Sequence, residues 1–283
     1  MRFIYALLLP AMIYFCALQE KSYALDSNQK GLTIATEGYL RPYNLTRPDG
    51  TLDGYEIELG KYLCQHMKVE CTFVSQPFDG VIPGLTVGKF DAIMGALTAT
   101  KAREKIIDFS ISYSLTPQVF AALQGSKYNN LPHTGETLHL SQDPAITSKT
   151  VNDVGTAIEG ATVGVVVGSI AQSLVNEYFG NKITTREYKF SDEADLDLRT
   201  GRIDMLVNSQ AYVLTNKDMP GYENTVITGP FYKGGILGRG VAVGLRKDEP
   251  ELRKRFNEAI RAAKADGTIK RLSEKWFGFD VTP

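Results

Sequence analysis

Histidine and tryptophan are scarce in this chain, and neither sign of charge dominates it. The three histidines, His66, His133 and His139, stand far apart without metal-ligand spacing, which predicts solvated surface positions and no metal centre. Lysine and arginine number 31 against 32 aspartate and glutamate, a formal charge of −1, so no basic field exists to draw nucleic acid. Beyond the amino terminus no apolar run approaches the ~20 residues that a membrane-spanning helix requires. Repeats and low-complexity tracts are absent. The single tryptophan, Trp276, falls on the last helical pattern and is expected in the core. What remains is 43% hydrophobic, enough for real cores, at a length comfortable for two lobes.

The first 24 residues differ from the rest. Arg2 precedes an apolar run from Phe3 to Leu18, and Ser22-Tyr23-Ala24 supplies a small-x-small pattern. This reads as a secretory signal peptide cleaved near Ala24. An uncleaved anchor is the alternative, but the run is too short to span. Cys16 follows the bulky Phe15, so no lipid attachment is predicted. Removal of Arg2, Lys21 and Glu20 with the leader shifts the formal charge from −1 to −2. It also leaves two cysteines, Cys64 and Cys71. An even pair in an exported protein reads as a disulfide, two free thiols being the alternative. The loop closed is short, for an expected stabilisation of roughly 2–3 kcal/mol.

Short apolar runs alternate with helical patterns. Expected strands are Leu32–Ala35, Cys71–Val74, Ala92–Met94, Val163–Val167, Met205–Val207 and Val241–Leu245. Expected helices are Glu56–Met67, Val81–Val87, Ile170–Tyr178, Asp192–Arg199, Glu251–Asp266 and Ile269–Trp276, with Gly267 as a cap. This alternation predicts an α/β fold with largely parallel sheets and right-handed crossovers. Gly125–Thr150, polar and without a clear period, reads as a surface excursion.

The stretch from Gly88 to Ser110 concentrates the chemistry. A buried strand end meets the small Gly95 and Ala96, then the hydroxyl of Thr98 and the planar, permanently charged fork of Arg103. These groups suit the grip of a small carboxylate and include no nucleophile. The plainer alternative is an ordinary strand-to-helix turn in which Arg103 pairs with an acid such as Asp108.

An ordered series extends this block: Thr36-Glu37-Gly38-Tyr39, Asp53-Gly54-Tyr55-Glu56-Ile57-Glu58-Leu59, Phe78-Asp79-Gly80-Val81-Ile82-Pro83, Val163 to Ser169, Gly201-Arg202-Ile203-Asp204 and Val241 to Asp248. Together these resemble the polar amino-acid branch of the periplasmic solute-binding proteins that feed ABC importers, over nearly the whole mature chain. The resemblance implies a type II-like fold of two lobes, each a central sheet flanked by helices, joined by a two-strand hinge that closes on ligand. Lobe 1 is expected at 25–114 plus 234–283 and lobe 2 at 115–233. The resemblance further implies a periplasmic location, a small-molecule ligand, an inner-membrane permease as partner and no cofactor. The sequence shows no obligate dimer surface, so a monomer is expected. The candidate cleft residues, an arginine, an acid placed for a cation and neutral amides, predict no enzymatic activity. Residue by residue, Arg103 matches the grip on the ligand α-carboxylate, Thr98 a hydroxyl beside it, and Ala96 a backbone contact to the α-amino group. Phe78 matches an aromatic wall, and Glu37 an acid for a distal cation. Gly168-Ser169-Ile170 matches a helix-start loop whose N–H groups hold the carboxylate. Tyr39 either lines the cleft or packs on its rim.

The departures sharpen the reading. Where the family places an acid for the ligand α-ammonium, this chain has Asn208-Ser209-Gln210, with Ser209 at the acidic place. A buried ammonium without a carboxylate would be poorly compensated, so a secondary nitrogen bearing a second acid arm is expected. Gly95 and Ala96 are smaller than the serines common there and open room for that arm. A guanidinium, a secondary amine and an extra acid together describe opines, and the chain resembles the opine-binding members. The room ascribed to Gly95 favours nopaline over octopine. A generic receptor for arginine, ornithine or lysine is the second reading. A dehydratase on the same fold, such as cyclohexadienyl dehydratase, is the third, and Glu37 is its only plausible base. A soluble sensor partner for a membrane kinase is a variant of the receptor reading.

Overall fold

The computed structural model describes residues 31–217 and 219–283. The signal-peptide reading lies outside the described residues. Leu32–Thr36 forms β1, and a small antiparallel sheet follows it: β2 (Tyr39–Leu40), β3 (Asn44–Thr46) and β4 (Leu52–Asp53). Helix α1 (Tyr55–Met67) then leads to β5 (Cys71–Ser75), α2 (Val81–Thr86), β6 (Ala92–Ile93), the one-turn α3 (Lys101–Glu104) and β7 (Asp108–Phe109). After β8 (Gln118–Leu123) come β9 (Thr137–His139), α4 (Pro144–Ala157), β10 (Thr162–Val166), α5 (Ile170–Tyr178) and β11 (Thr184–Tyr188). The chain continues through α6 (Ser191–Arg199), β12 (Met205–Ser209), α7 (Gln210–Asn216) and β13 (Thr225–Lys233). It ends with β14 (Gly244–Leu245), α8 (Pro250–Ala265) and α9 (Thr268–Phe277).

Two mixed sheets organise these elements. The first runs β5-β1-β6-β14-β7 and the second β11-β10-β12-β8-β13-β9. Strands β5, β1 and β6 are parallel, as are β11, β10 and β12. The expectation of largely parallel sheets is corrected at β14 and β8. Strand β14 is antiparallel to β6 and β7, and β8 is antiparallel to both β12 and β13. The reason is connectivity: β8 and β14 are the strands that arrive from, or return to, the other sheet without a helical crossover. The two passages pair with each other, Tyr113 N–H donating to Val241 O at 2.9 Å and Val241 N–H to Ser114 O at 2.8 Å.

Packing follows the apolar periodicity. Ile57, Leu59 and Leu63 are buried on α1, which packs beneath α8 and α9, and each such side chain contributes roughly 1.5–3 kcal/mol. The second sheet buries Phe120, Phe179 and Tyr232 edge to face, with ring centroids 5.5–6.2 Å apart. Cys64 on α1 and Cys71 at the start of β5 are joined as a disulfide.

The reading of Gly125–Thr150 as a plain surface excursion is corrected, because the segment contributes β9 to the second sheet and begins α4. His133 in that segment is not simply solvated. Its ring nitrogens lie 3.1 Å from Glu136 Oε2 and 2.9 Å from Asp153 Oδ2, tying the segment to α4, and those carboxylates raise its pKa.

Candidate ligand-binding site

Parallel strands all end on one side, and side chains just beyond their carboxyl ends converge there. Glu37 follows β1, Phe78 follows β5, and Ala96 and Thr98 follow β6. Ser169 and Ile170 follow β10, Ser191 follows β11, and Ser209 ends β12. All of these line one cavity between the two sheets, together with Asn208 and Arg103.

Arg103 is held in place without a counter-anion. Its backbone N–H is capped by Thr100 Oγ1, its Nη1 donates to Thr98 O at 2.8 Å, and its Nη2 donates to Gly168 O at 2.9 Å. The guanidinium carbon stands 5.4 Å from the Phe78 ring centroid. Among the described residues no carboxylate pairs with it, and desolvation alone pushes its pKa down to about 10, so it is charged at neutral pH. Asp108 pairs with Arg253 instead, at 2.7 Å, which removes the plainer reading of Arg103.

Glu37 carries the opposite need. It is 2% exposed, and its Oε1 has no hydrogen-bond partner. Burial, then the charges of Asp192 and Glu56, push its pKa up to about 8, against a hydrogen bond from the Ser191 backbone. Beneath it lies the fully buried Glu56, whose pKa burial also raises. Three donors satisfy that carboxyl: Asn44 Nδ2 at 2.7 Å, Ala96 N–H at 2.7 Å and the Tyr113 hydroxyl. Asn44 in turn accepts from Gly38 N–H at 2.7 Å, so one network positions both the Glu37 turn and Ala96. Ala96 has φ 50°, a left-handed conformation costly for alanine, and the bond to Glu56 holds it there.

Three expected positions lie off the cavity wall. Tyr39 is 43% exposed while Leu40, 8% exposed, faces the cavity, because successive residues of β2 point to opposite sides. Tyr39 instead stacks on Phe190, with ring centroids 4.6 Å apart. A β-carbon at Gly95 would lie 3.4 Å from the Glu37 amide nitrogen, against β1, so the room that this glycine leaves does not open the cavity. Gly168 contributes its carbonyl to Arg103, and its N–H is taken by Gln172 Oε1 at 2.7 Å. The Ser169 N–H is likewise taken, by Val166 O. The N–H groups that α5 offers a ligand are therefore those of Ile170 and Ala171, both on the cavity wall.

Asn208 uses its carbonyl on Ser209 N–H and one amide hydrogen on Ser191 Oγ. Gln210 opens α7 off the wall, its N–H on Pro117 O. Tyr43, Thr116, Gln118, Ser191, Tyr232 and Lys233 also line the cavity, and sequence reasoning missed them. Only Ser191 had a local signal, its position one residue before an expected helix.

The sequence profile of the bacterial extracellular solute-binding proteins, family 3, matches residues 32–279. The chain belongs to that family. It is 37% identical over 275 residues to the octopine-binding periplasmic protein of Rhizobium meliloti, covering 91% of this chain and 93% of the relative. It is 32% identical over 277 residues to the L-arginine-binding protein of Pseudomonas aeruginosa, covering 96% and 97%. The solved structure of an ancestral arginine-binding protein bound to arginine superposes with a TM-score of 0.73 at 26% identity, covering 88% of this chain and 98% of that one. The relatives that share this fold are binding proteins, and this family member has their two-lobe α/β architecture. Its cavity accordingly sits between the two sheets, at the ends of their parallel strands.

Proposed function

We propose that this protein is the periplasmic substrate-binding component of an ABC importer, and that it captures a guanidinium-bearing opine, nopaline foremost, by closing one lobe on the other. The observation that carries the reading is two groups of opposite need on one cavity wall: the Arg103 guanidinium without a carboxylate and the buried Glu37 carboxyl without a cation. A ligand with a carboxylate at one end and a guanidinium at the other satisfies both. The neutral pair Asn208 and Ser209 supports an opine, because a primary ammonium would find no carboxylate there. Once a ligand cation has ionised Glu37, the charged residues on the wall are Arg103, Lys233 and Glu37, a balance of one positive charge. That balance opposes cationic arginine and suits nopaline, whose carboxylates outnumber its cations. Room for the longer arm of nopaline is ascribed to Ala96, which lines the cavity.

In this reading residues 1–24 are the cleaved export signal and a membrane permease receives the ligand. Lobe 1 is 25–114 plus 234–283, and lobe 2 is 115–233. Thr98, Phe78 and the Ile170 and Ala171 N–H groups assist Arg103 and Glu37, and no bond is made or broken. A second reading, an arginine receptor, is favoured by the arginine-binding relative at 32% identity.

Calorimetric titration with nopaline, octopine, arginine and ornithine tests the choice. Tight binding of an opine with weak arginine binding is expected, and Arg103→Ala should lose at least about 2 kcal/mol with every ligand. Tight arginine binding with no opine binding would overturn the opine reading, and normal binding by Arg103→Ala would overturn the site.

A further inference from the structure

Three polar side chains stand in a row on the floor of the cavity. Gln118 on β8 is directly opposite Ser209 on β12 and directly opposite Tyr232 on β13. Directly opposed residues on neighbouring strands present their side chains on the same face. All three line the cavity, and all three are buried. The row is only partly satisfied. The Tyr232 hydroxyl is fully buried and has no hydrogen-bond partner. The Gln118 carboxamide, 6% exposed, is enclosed on the same wall, where a polar group left without a partner carries a desolvation cost. Ser209 Oγ accepts from Tyr212 N–H and shares its proton with the Tyr43 hydroxyl, itself on the cavity wall, so a ligand acceptor can take that proton in exchange. Burial alone raises the Tyr232 pKa, so the phenol keeps its proton at neutral pH, and no neighbouring charge contributes. Lys233, next in the chain, lines the same cavity. The row therefore offers donors and no carboxylate. A ligand group that matches it is rich in acceptors and negative.

We propose that Ser209, Gln118 and Tyr232, with Lys233 beside them, form the subsite for the second acid-bearing arm of the ligand, distinct from the α-carboxylate grip at Arg103. The inference rests on the opine reading, and it names the residues that separate an opine from its parent amino acid. Arginine, which lacks that arm, leaves the Tyr232 hydroxyl and the Gln118 amide unpaired in a closed cavity. That is the kind of penalty by which a polar pocket rejects a smaller analogue.

The experiment measures affinities of nopaline, octopine and arginine for the wild-type chain and for Gln118→Leu, Tyr232→Phe and Ser209→Asp. The first two substitutions remove one donor each with little change of volume. Each is expected to weaken opine binding about ten- to hundred-fold, as for loss of a hydrogen bond to a charged group, and to leave arginine binding within about two-fold. Ser209→Asp keeps a good helix N-cap, so α7 stays formed. It places a carboxylate against the second arm, and should weaken opines at least ten-fold while strengthening arginine. Equal losses for opines and arginine, or no loss with Gln118→Leu and Tyr232→Phe, would overturn the subsite while the opine reading stands. Failure of the wild-type chain to bind either opine would overturn both. Should Gln118→Leu or Tyr232→Phe fold poorly, judged by its thermal midpoint, the Ser209→Asp exchange of preference decides the matter.

Discussion

In the proposed site, Glu37 makes ligand binding a proton-coupled event. Its carboxyl ordinarily titrates near 4.5, and burial with Asp192 and Glu56 nearby raises it to about 8. Between those values the native chain holds a proton that the unfolded chain has released. Stability contributed by Glu37 therefore falls as pH rises through that window, and the whole cost is present above it. A guanidinium placed against Glu37 favours the ionised form, so binding releases the proton. Affinity for a guanidinium ligand should rise with pH up to about 8 and then level off. Calorimetry at pH 7 in two buffers of different ionisation enthalpy should register release of most of one proton, and Glu37→Gln should abolish it. Identical enthalpies in both buffers would show that Glu37 does not face the cation. Of the residues involved, Arg103, Glu37 and Phe78 were legible from chemistry and position in an ordered series. Leu40 was not, because the choice between it and Tyr39 depends on which face of β2 meets the cavity.

At the scale of elements, the sheets separate stability from binding. The Cys64–Cys71 disulfide joins α1 to the amino-terminal end of β5, whereas ligand-facing residues lie beyond the carboxyl ends. Five residues of strand span about 17 Å. Replacing both cysteines by alanine should lower unfolding free energy by about 2 kcal/mol, measured by denaturant titration, with affinities within about two-fold of the parent. A large loss of affinity would mean that the staple also orders the site. Strands β1, β5 and β10 and helix α5 were legible because their apolar runs are bounded by turn residues and match one period. Strand β8 is as buried as these, yet its sequence Gln-Val-Phe-Ala-Ala-Leu serves helix and strand equally. Strand β13 carries Gly229 and Pro230 in its interior, and the register shift between Thr228 and Tyr232 accommodates them. The Gly54 turn before α1 is set by glycine, with φ 125° and the Tyr43 carbonyl oxygen 2.7 Å from where a β-carbon would stand.

Across the whole molecule, contacts that join the two lobes around the cavity include Arg103 to the Gly168 carbonyl, Glu37 to the Ser191 backbone, the Tyr43 hydroxyl to Thr116 Oγ1 at 3.1 Å, and Tyr39 on Phe190. The first two compete with or assist ligand. The aromatic pair lies outside the cavity lining and joins the lobes regardless of what is inside. Phe190→Ala should weaken every ligand alike by about three- to ten-fold, through faster release seen in stopped-flow, because an aromatic pair is worth about 0.5–1.5 kcal/mol. A change in ligand preference would place Phe190 in the site rather than at its door.

Local sequence was enough to determine the α/β class, most strands of the two parallel cores, the paired cysteines and Arg103 as a cation beyond a strand end. Each of these depends on neighbours within about ten residues, where apolar period, caps and charge act directly. Only the tertiary structure decided which residues share the cavity. Ser209, Gln118 and Tyr232 come from strands far apart in the chain, and strand register alone sets them in one row. Register likewise put Leu40 inward and Tyr39 outward. Glu56 became a buried anchor for Ala96 because the carboxyl ends of β1 and β6 lie side by side.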